Sequence, residues 1–131
     1  MEVFPGRLEE SVTMSDAEIV SALHRARVSG SKLTRYPGPT PRDKAHAFEI
    51  QSAVRQKLRS WKHTGWKIGC TSEKAQKALK TDGPFPGPVY DHRLYKSGAY
   101  VSTQATNSRT TEPEVAFTMA RDLPARGKAY T

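Results

Sequence analysis

Between Pro41 and Ser60 the chain has little choice of conformation. Ala47, Ile50, Val54, Leu58 and Trp61 recur at steps of three and four, a spacing that stacks side chains on one face of an α-helix and scatters them on a strand. The pattern predicts a helix of about five turns, with Thr40 as its cap and Pro41 in its first turn. Such a stripe must be buried against other elements, so the rest of the chain has to supply a packing partner. Gln51 and Arg55 flank the stripe and are expected at the surface. His46 and His63 fall outside any metal-ligand spacing and read as ordinary polar residues.

Packing alone has to hold the fold. Cys70 is the single cysteine of 131 residues, so there is no internal disulfide, and no Cys/His cluster has zinc spacing. A reducing, cytoplasmic setting is expected: no apolar run approaches the roughly 20 residues needed to cross a bilayer, and the first residues lack a signal-peptide pattern. The net charge of +8, from 21 Lys and Arg against 13 Asp and Glu, suits nucleic acid, anionic lipid or small anionic substrates alike. The basic residues are scattered rather than gathered in a block, and most read as a solvated surface. Trp61 and Trp66 beside Lys62 and Lys67 keep single-stranded nucleic acid open as a minority reading.

A first helix is announced by Ser15-Asp16-Ala17-Glu18, in which the Ser15 hydroxyl and the Glu18 carboxylate can satisfy each other's backbone amides. Ile19, Ala22, Leu23 and Ala26 form its apolar face, and Gly30 stops it. Residues 1–14, with Pro5 and Gly6 and no periodicity, read as a flexible leader, with Met14 as an alternative start. A stiff loop through Pro37, Gly38 and Pro39 leads to the second helix. Beyond that helix, Gly65-Trp66-Lys67-Ile68-Gly69-Cys70-Thr71-Ser72 reads as a short strand with Lys67 opposite Trp66 and Ile68. Thr71 or Ser72 then caps a third helix, whose free amides beside Lys67 can receive a carboxylate, making Gly69, Thr71 and Ser72 candidate substrate-binding residues. A lysine on a short strand is equally a solvated edge residue.

Thr81 to Pro88 is dense in Pro and Gly and reads as a rigid loop. Val89-Tyr90, Arg93-Leu94-Tyr95 and Ala99-Tyr100-Val101 read as short strands leading through a polar connection into Glu112-Pro113-Glu114-Val115-Ala116-Phe117-Thr118-Met119-Ala120. From Glu114 on, Val115, Phe117 and Met119 alternate with small residues, as on a strand. Glu112 and Glu114 share the opposite face, their Cα atoms about 7 Å apart. Two fixed carboxylates suit a hard divalent cation such as Mg2+ or Mn2+; Glu-x-Glu also suits a solvated strand.

Taken together, Ala47-Phe48-Glu49-Ile50-Gln51, the run from Gly65 to Ser72, Pro84 and Gly87, and Glu112-x-Glu114-x-Ala116-Phe117 resemble the 2-keto-4-pentenoate hydratase and 4-oxalocrotonate decarboxylase group of the fumarylacetoacetate hydrolase superfamily. The resemblance runs from about Ser15 to Leu123 and matches the front half of such proteins. It implies an α+β fold: residues 15–100 an N-terminal α/β lobe, and residues 101–131 the opening strands of an incomplete β-rich catalytic domain. It implies that Glu112 and Glu114 bind Mg2+ or Mn2+ and that Lys67 is catalytic in the same pocket. The implied function is a metal-dependent lyase, hydratase or decarboxylase, acting on a small anionic 2-oxo or 2-hydroxydienoic acid from aromatic-compound catabolism, in a homo-oligomer. A C–C bond hydrolase of the same superfamily and a non-catalytic interaction module are the alternatives.

Two departures bear on the chemistry. Phe85 stands where the family's hydratases place an aspartate acid/base partner, which weighs against strict hydratase chemistry. The family's third metal ligand lies about thirty residues past the Glu-x-Glu motif, beyond Thr131. Weak catalysis or none, and an unpaired strand edge, are therefore expected of the 131 residues by themselves.

Overall fold

The computed structural model describes residues 14–102, 110–128 and 130. The leader assigned to residues 1–14 lies outside them except for Met14, and most of the polar connection ahead of Glu112 also lies outside, at 103–109. The described residues form a mixed helix and strand, α+β fold: α1 (Asp16–Ser29), α2 (Lys44–Lys57), β1 (His63–Gly69), α3 (Glu73–Leu79), β2 (Phe85–Tyr90) and a 3-10 turn at Asp91–Arg93.

Helix α1 begins and ends where its sequence punctuates it. The Ser15 backbone N–H donates to Glu18 Oε2 at 2.8 Å, and the Ser15 hydroxyl accepts from the Glu18 N–H at 3.4 Å, completing the capping box. At the other end Gly30 takes φ 71°, a left-handed conformation that costs glycine little. Helix α2 starts later than Thr40-Pro41 suggests. Asp43 is its cap, with the carboxylate accepting from the His46 N–H at 2.8 Å, so the loop continues through Pro41 and Arg42. The helix closes at Lys57, and Leu58 folds its N–H back onto Val54 and Arg55.

The two helices pack against each other through Ile19, Val20 and Ile50, with Met14, Leu23, Ala53 and Val54 around them. Gly38 lies against this cluster: a Cβ built there falls 2.6 Å from Ile19 Cδ1, so the Pro37-Gly38-Pro39 loop covers the core with bare backbone. Tyr90, 2% exposed, centres a second cluster. The Trp61 ring meets its edge at a centroid distance of 5.3 Å, and His63 and His92 lie at 6.3 and 6.2 Å.

The segment expected to be a rigid loop supplies the second strand. β2 runs antiparallel to β1, with Lys67 opposite Gly87, Trp66 opposite Pro88 and Ile68 opposite Pro86, and the register is interrupted between His63 and Gly65. Two prolines fit a strand because their missing N–H groups, two residues apart, face the same unpaired edge. The Pro86 carbonyl on that edge accepts from Gln51 Nε2 at 3.2 Å. Gln51 is thus half-buried and ties α2 to the sheet, in place of the surface position expected from its flanking spot.

Other strands expected from the sequence do not form. Leu94-Tyr95 and Ala99-Tyr100-Val101 carry no strand pairing, and Arg93 ends the 3-10 turn. The segment from Glu114 to Ala120 is likewise not a strand. Its alternation is present, but Val115, Phe117 and Met119 are 81%, 84% and 60% exposed, so neither face is packed and no neighbouring strand takes up its backbone groups. Trp66 and Ile68 on β1 remain about half exposed.

His46, read as an ordinary polar residue, is buried. Its Nδ1 accepts from the Arg42 N–H at 3.2 Å, which leaves Nε2 to donate to Asp16 Oδ2 at 2.8 Å. The ring thereby connects the starts of α1 and α2. His46→Ala removes both bonds and leaves a polar gap at a helix junction; the expected loss is about 1–3 kcal/mol, read as a lowered Tm, with Asp16→Asn costing less because Asp16 is half exposed. Among the described residues, no helix is long and apolar enough to cross a membrane.

Candidate functional site

Alternation along β1 sets Lys67 on the face opposite Trp66 and Ile68. From there its ammonium reaches two carboxylates far along the chain: Nζ donates to Glu112 Oε2 at 2.8 Å and also contacts Glu114 Oε1. All three side chains are about half exposed. The segment carrying the glutamates has no strand pairing among the described residues, and the contacts of Glu112 and Glu114 with Lys67 join it to β1.

Charge shifts follow from the contact. Hydrogen bonds donated to Glu112 and then Glu114 raise the Lys67 ammonium above the usual lysine range. Lys67 in turn holds Glu112 below the usual glutamate range, by its hydrogen bond and its charge. The depressed Glu112 contributes stability that is complete above the ordinary glutamate value and is lost as pH falls through the lowered one. The raised Lys67 contributes stability that is complete below the ordinary lysine value and is lost as pH rises through the raised one. The clamp therefore holds through neutral pH and opens at both extremes. In a carboxylate-detected NMR titration, the Glu112 midpoint should rise to the ordinary range in Lys67→Met and move the same way with added salt; a midpoint unmoved by Lys67→Met removes the pairing.

Oxygens from Glu112 and Glu114 both lie within reach of one cationic centre, so the pair can face a common ion. As hard, ionised oxygen donors they fit Mg2+ or Mn2+ as two of about six ligands. Among the described residues, no group of three or more His, Cys, Asp or Glu gathers around a common point. The Lys67 ammonium occupies the locus between the two carboxylates, so an ion there has to share it or displace the ammonium.

The remaining candidates lie to one side. Gly69 ends β1 opposite Phe85, whose ring comes within 3.1 Å of where a Gly69 side chain would begin. Cys70 adopts φ 56° and turns the chain, and its carbonyl accepts from Gln76 Nε2 at 2.9 Å. Thr71 is exposed, and the Ser72 hydroxyl caps α3 by accepting from the Ala75 N–H at 3.3 Å. Among the described residues, no hydrogen bond joins Gly69, Thr71 or Ser72 to Lys67, Glu112 or Glu114.

Lys67 also borders a cavity of about 540 Å3 between α1, α2 and β2. Arg27 and Arg55 line it, the first 6.0 Å from the Tyr90 ring centroid and the second 5.8 Å from that of Trp66. Arg55 was expected only as a surface flank; its place four residues after Gln51 was the available sign that both face the sheet.

No family model matches this sequence, and no solved structure matches this chain.

Proposed function

We propose that the chain belongs to a metal-dependent lyase of the 2-keto-4-pentenoate hydratase kind, acting on a small 2-oxo or 2-hydroxydienoic acid. The observation that carries this reading is the meeting of Lys67 with Glu112 and Glu114 across separations of 45 and 47 residues. A bound divalent cation supplies Lewis acidity, which lowers the cost of an enolate at the 2-oxo position. Lys67 donates a hydrogen bond to the developing oxygen anion, and its ammonium can deliver a proton. Glu112 and Glu114 orient that ammonium by accepting from it. Phe85, in place of the aspartate that the resemblance implies for a hydratase, weighs against strict water addition, and hydratase, decarboxylase and C–C hydrolase chemistry all remain readings of this site.

The test is turnover of 2-hydroxypenta-2,4-dienoate and 4-oxalocrotonate with Mn2+ or Mg2+, alongside Mn2+ binding followed by electron paramagnetic resonance. Metal-dependent turnover, or saturable Mn2+ binding abolished by Glu112→Gln with Glu114→Gln, supports the proposal. Absence of both overturns it. A second reading, a non-catalytic module that docks through an extended segment, is favoured by the exposure of Val115, Phe117 and Met119. It predicts concentration-dependent association weakened by Phe117→Ser, with no metal requirement.

A further inference from the structure

The cavity between α1, α2 and β2, at about 540 Å3, lies in the size range of pockets that enclose small molecules. Leu23, Ile50, Val54 and Leu58 give it apolar walls, and no Asp or Glu lines it. Charge within it is one-sided. The Lys67 charge is answered by Glu112 and Glu114, whereas Arg27 and Arg55 form no ion pair among the described residues. Both guanidinium groups lie near aromatic rings, Tyr90 and Trp66 respectively. At 6.0 and 5.8 Å from the ring centroids these are electrostatic contacts that use none of the guanidinium N–H donors, which stay available for a planar acceptor. Gln51, the neutral amide at the wall, already donates to the Pro86 carbonyl.

We propose that this cavity is a binding site for a small monocarboxylate with an apolar body, Arg27 and Arg55 recognising its head group and the aliphatic wall its tail. A guanidinium fork matches a carboxylate in two parallel hydrogen bonds. Among the described residues, the Tyr90 hydroxyl at the cavity wall is buried without a hydrogen-bond partner and adds one neutral group beside the two guanidinium groups, a set too small for sugars and multiply charged anions, which would leave donors or charges unmet. Glu112 and Glu114 are not among the lining residues but Lys67 is, so the cavity and the metal-dependent reading share that one side chain.

The experiment is calorimetric titration of the full chain with octanoate below its micellar range, using octan-1-ol as the uncharged match. Saturable one-to-one binding of octanoate is expected, with octan-1-ol at least about tenfold weaker. Arg27→Gln with Arg55→Gln should weaken octanoate at least about tenfold at unchanged Tm. Ala47→Phe, at an exposed α2 position that lines the cavity, should abolish binding by filling the space while both arginines stay. Glu112→Gln with Glu114→Gln, which frees the Lys67 ammonium at the wall, should leave octanoate binding no weaker. Absence of saturable binding, equal affinity for octan-1-ol, or retained affinity in the double arginine variant overturns the proposal.

Discussion

Lys67→Met should separate metal affinity from turnover: Mn2+ should bind about fivefold more tightly, while the weak metal-dependent turnover expected of these residues is lost. Both effects come from one ammonium. Its nitrogen sits 2.8 Å from Glu112 Oε2 and contacts Glu114 as well, so it competes with any ion for the same oxygens, and removing it lifts a like charge from the site. The gain stays small because the three groups are half exposed and solvent screens them. The loss is large because methionine neither donates a hydrogen bond to a developing oxygen anion nor carries a proton. Electron paramagnetic resonance gives the affinity and a stopped assay the rate. If the two readouts fall together, Lys67 supports the carboxylates instead of opposing an ion; if neither changes, the ammonium is an ordinary surface charge.

Gly38→Ala should destabilise the chain by about 1–3 kcal/mol, a fall in Tm on the order of 10 °C for a core this small. The added methyl would sit 2.6 Å from Ile19 Cδ1 and 2.7 Å from Cγ1. Ile19 is 1% exposed, so it can yield only by disturbing Val20 and Ile50. Gly65→Ala is the matched control, because a Cβ there meets nothing within 4 Å. Thermal unfolding of the two variants side by side checks the expectation. Equal midpoints would mean that the Pro37-Gly38-Pro39 loop does not rest on the core.

What the sequence conveyed depended on whether the deciding interaction was local. The Ser15 and Glu18 cap, the Gly30 stop, the α2 stripe and the β1 alternation involve residues within a few positions of one another, and each is legible. The start of α2 was misplaced because Thr40-Pro41 and Asp43 are both acceptable caps, and the competition was decided by the Asp43 carboxylate reaching the His46 N–H. The Val89-Tyr90 end of β2 was read as a strand, but its start at Phe85 was hidden because Pro86 and Pro88 signal a loop unless the strand has a free edge for them. The Glu114–Ala120 alternation was visible, but alternation states only that a strand is possible; pairing also needs a neighbour, and among the described residues the sheet holds β1 and β2 alone. The His46 bond to Asp16 and the Arg27 contact with Tyr90 span 30 or more positions, which no local pattern encodes. Lys67, Glu112 and Glu114 meet over equally long separations, and the sequence connected them only through resemblance to whole proteins.

The prolines of β2 also govern how this sheet can associate. An edge lacking N–H groups at Pro86 and Pro88, with the Pro86 carbonyl already taken by Gln51, cannot template another strand. Growth is left to the far side of β1. A ribbon with one live edge and one dead edge pairs once and then terminates, so contacts between copies through this sheet would stop at a pair and could not propagate into a fibre.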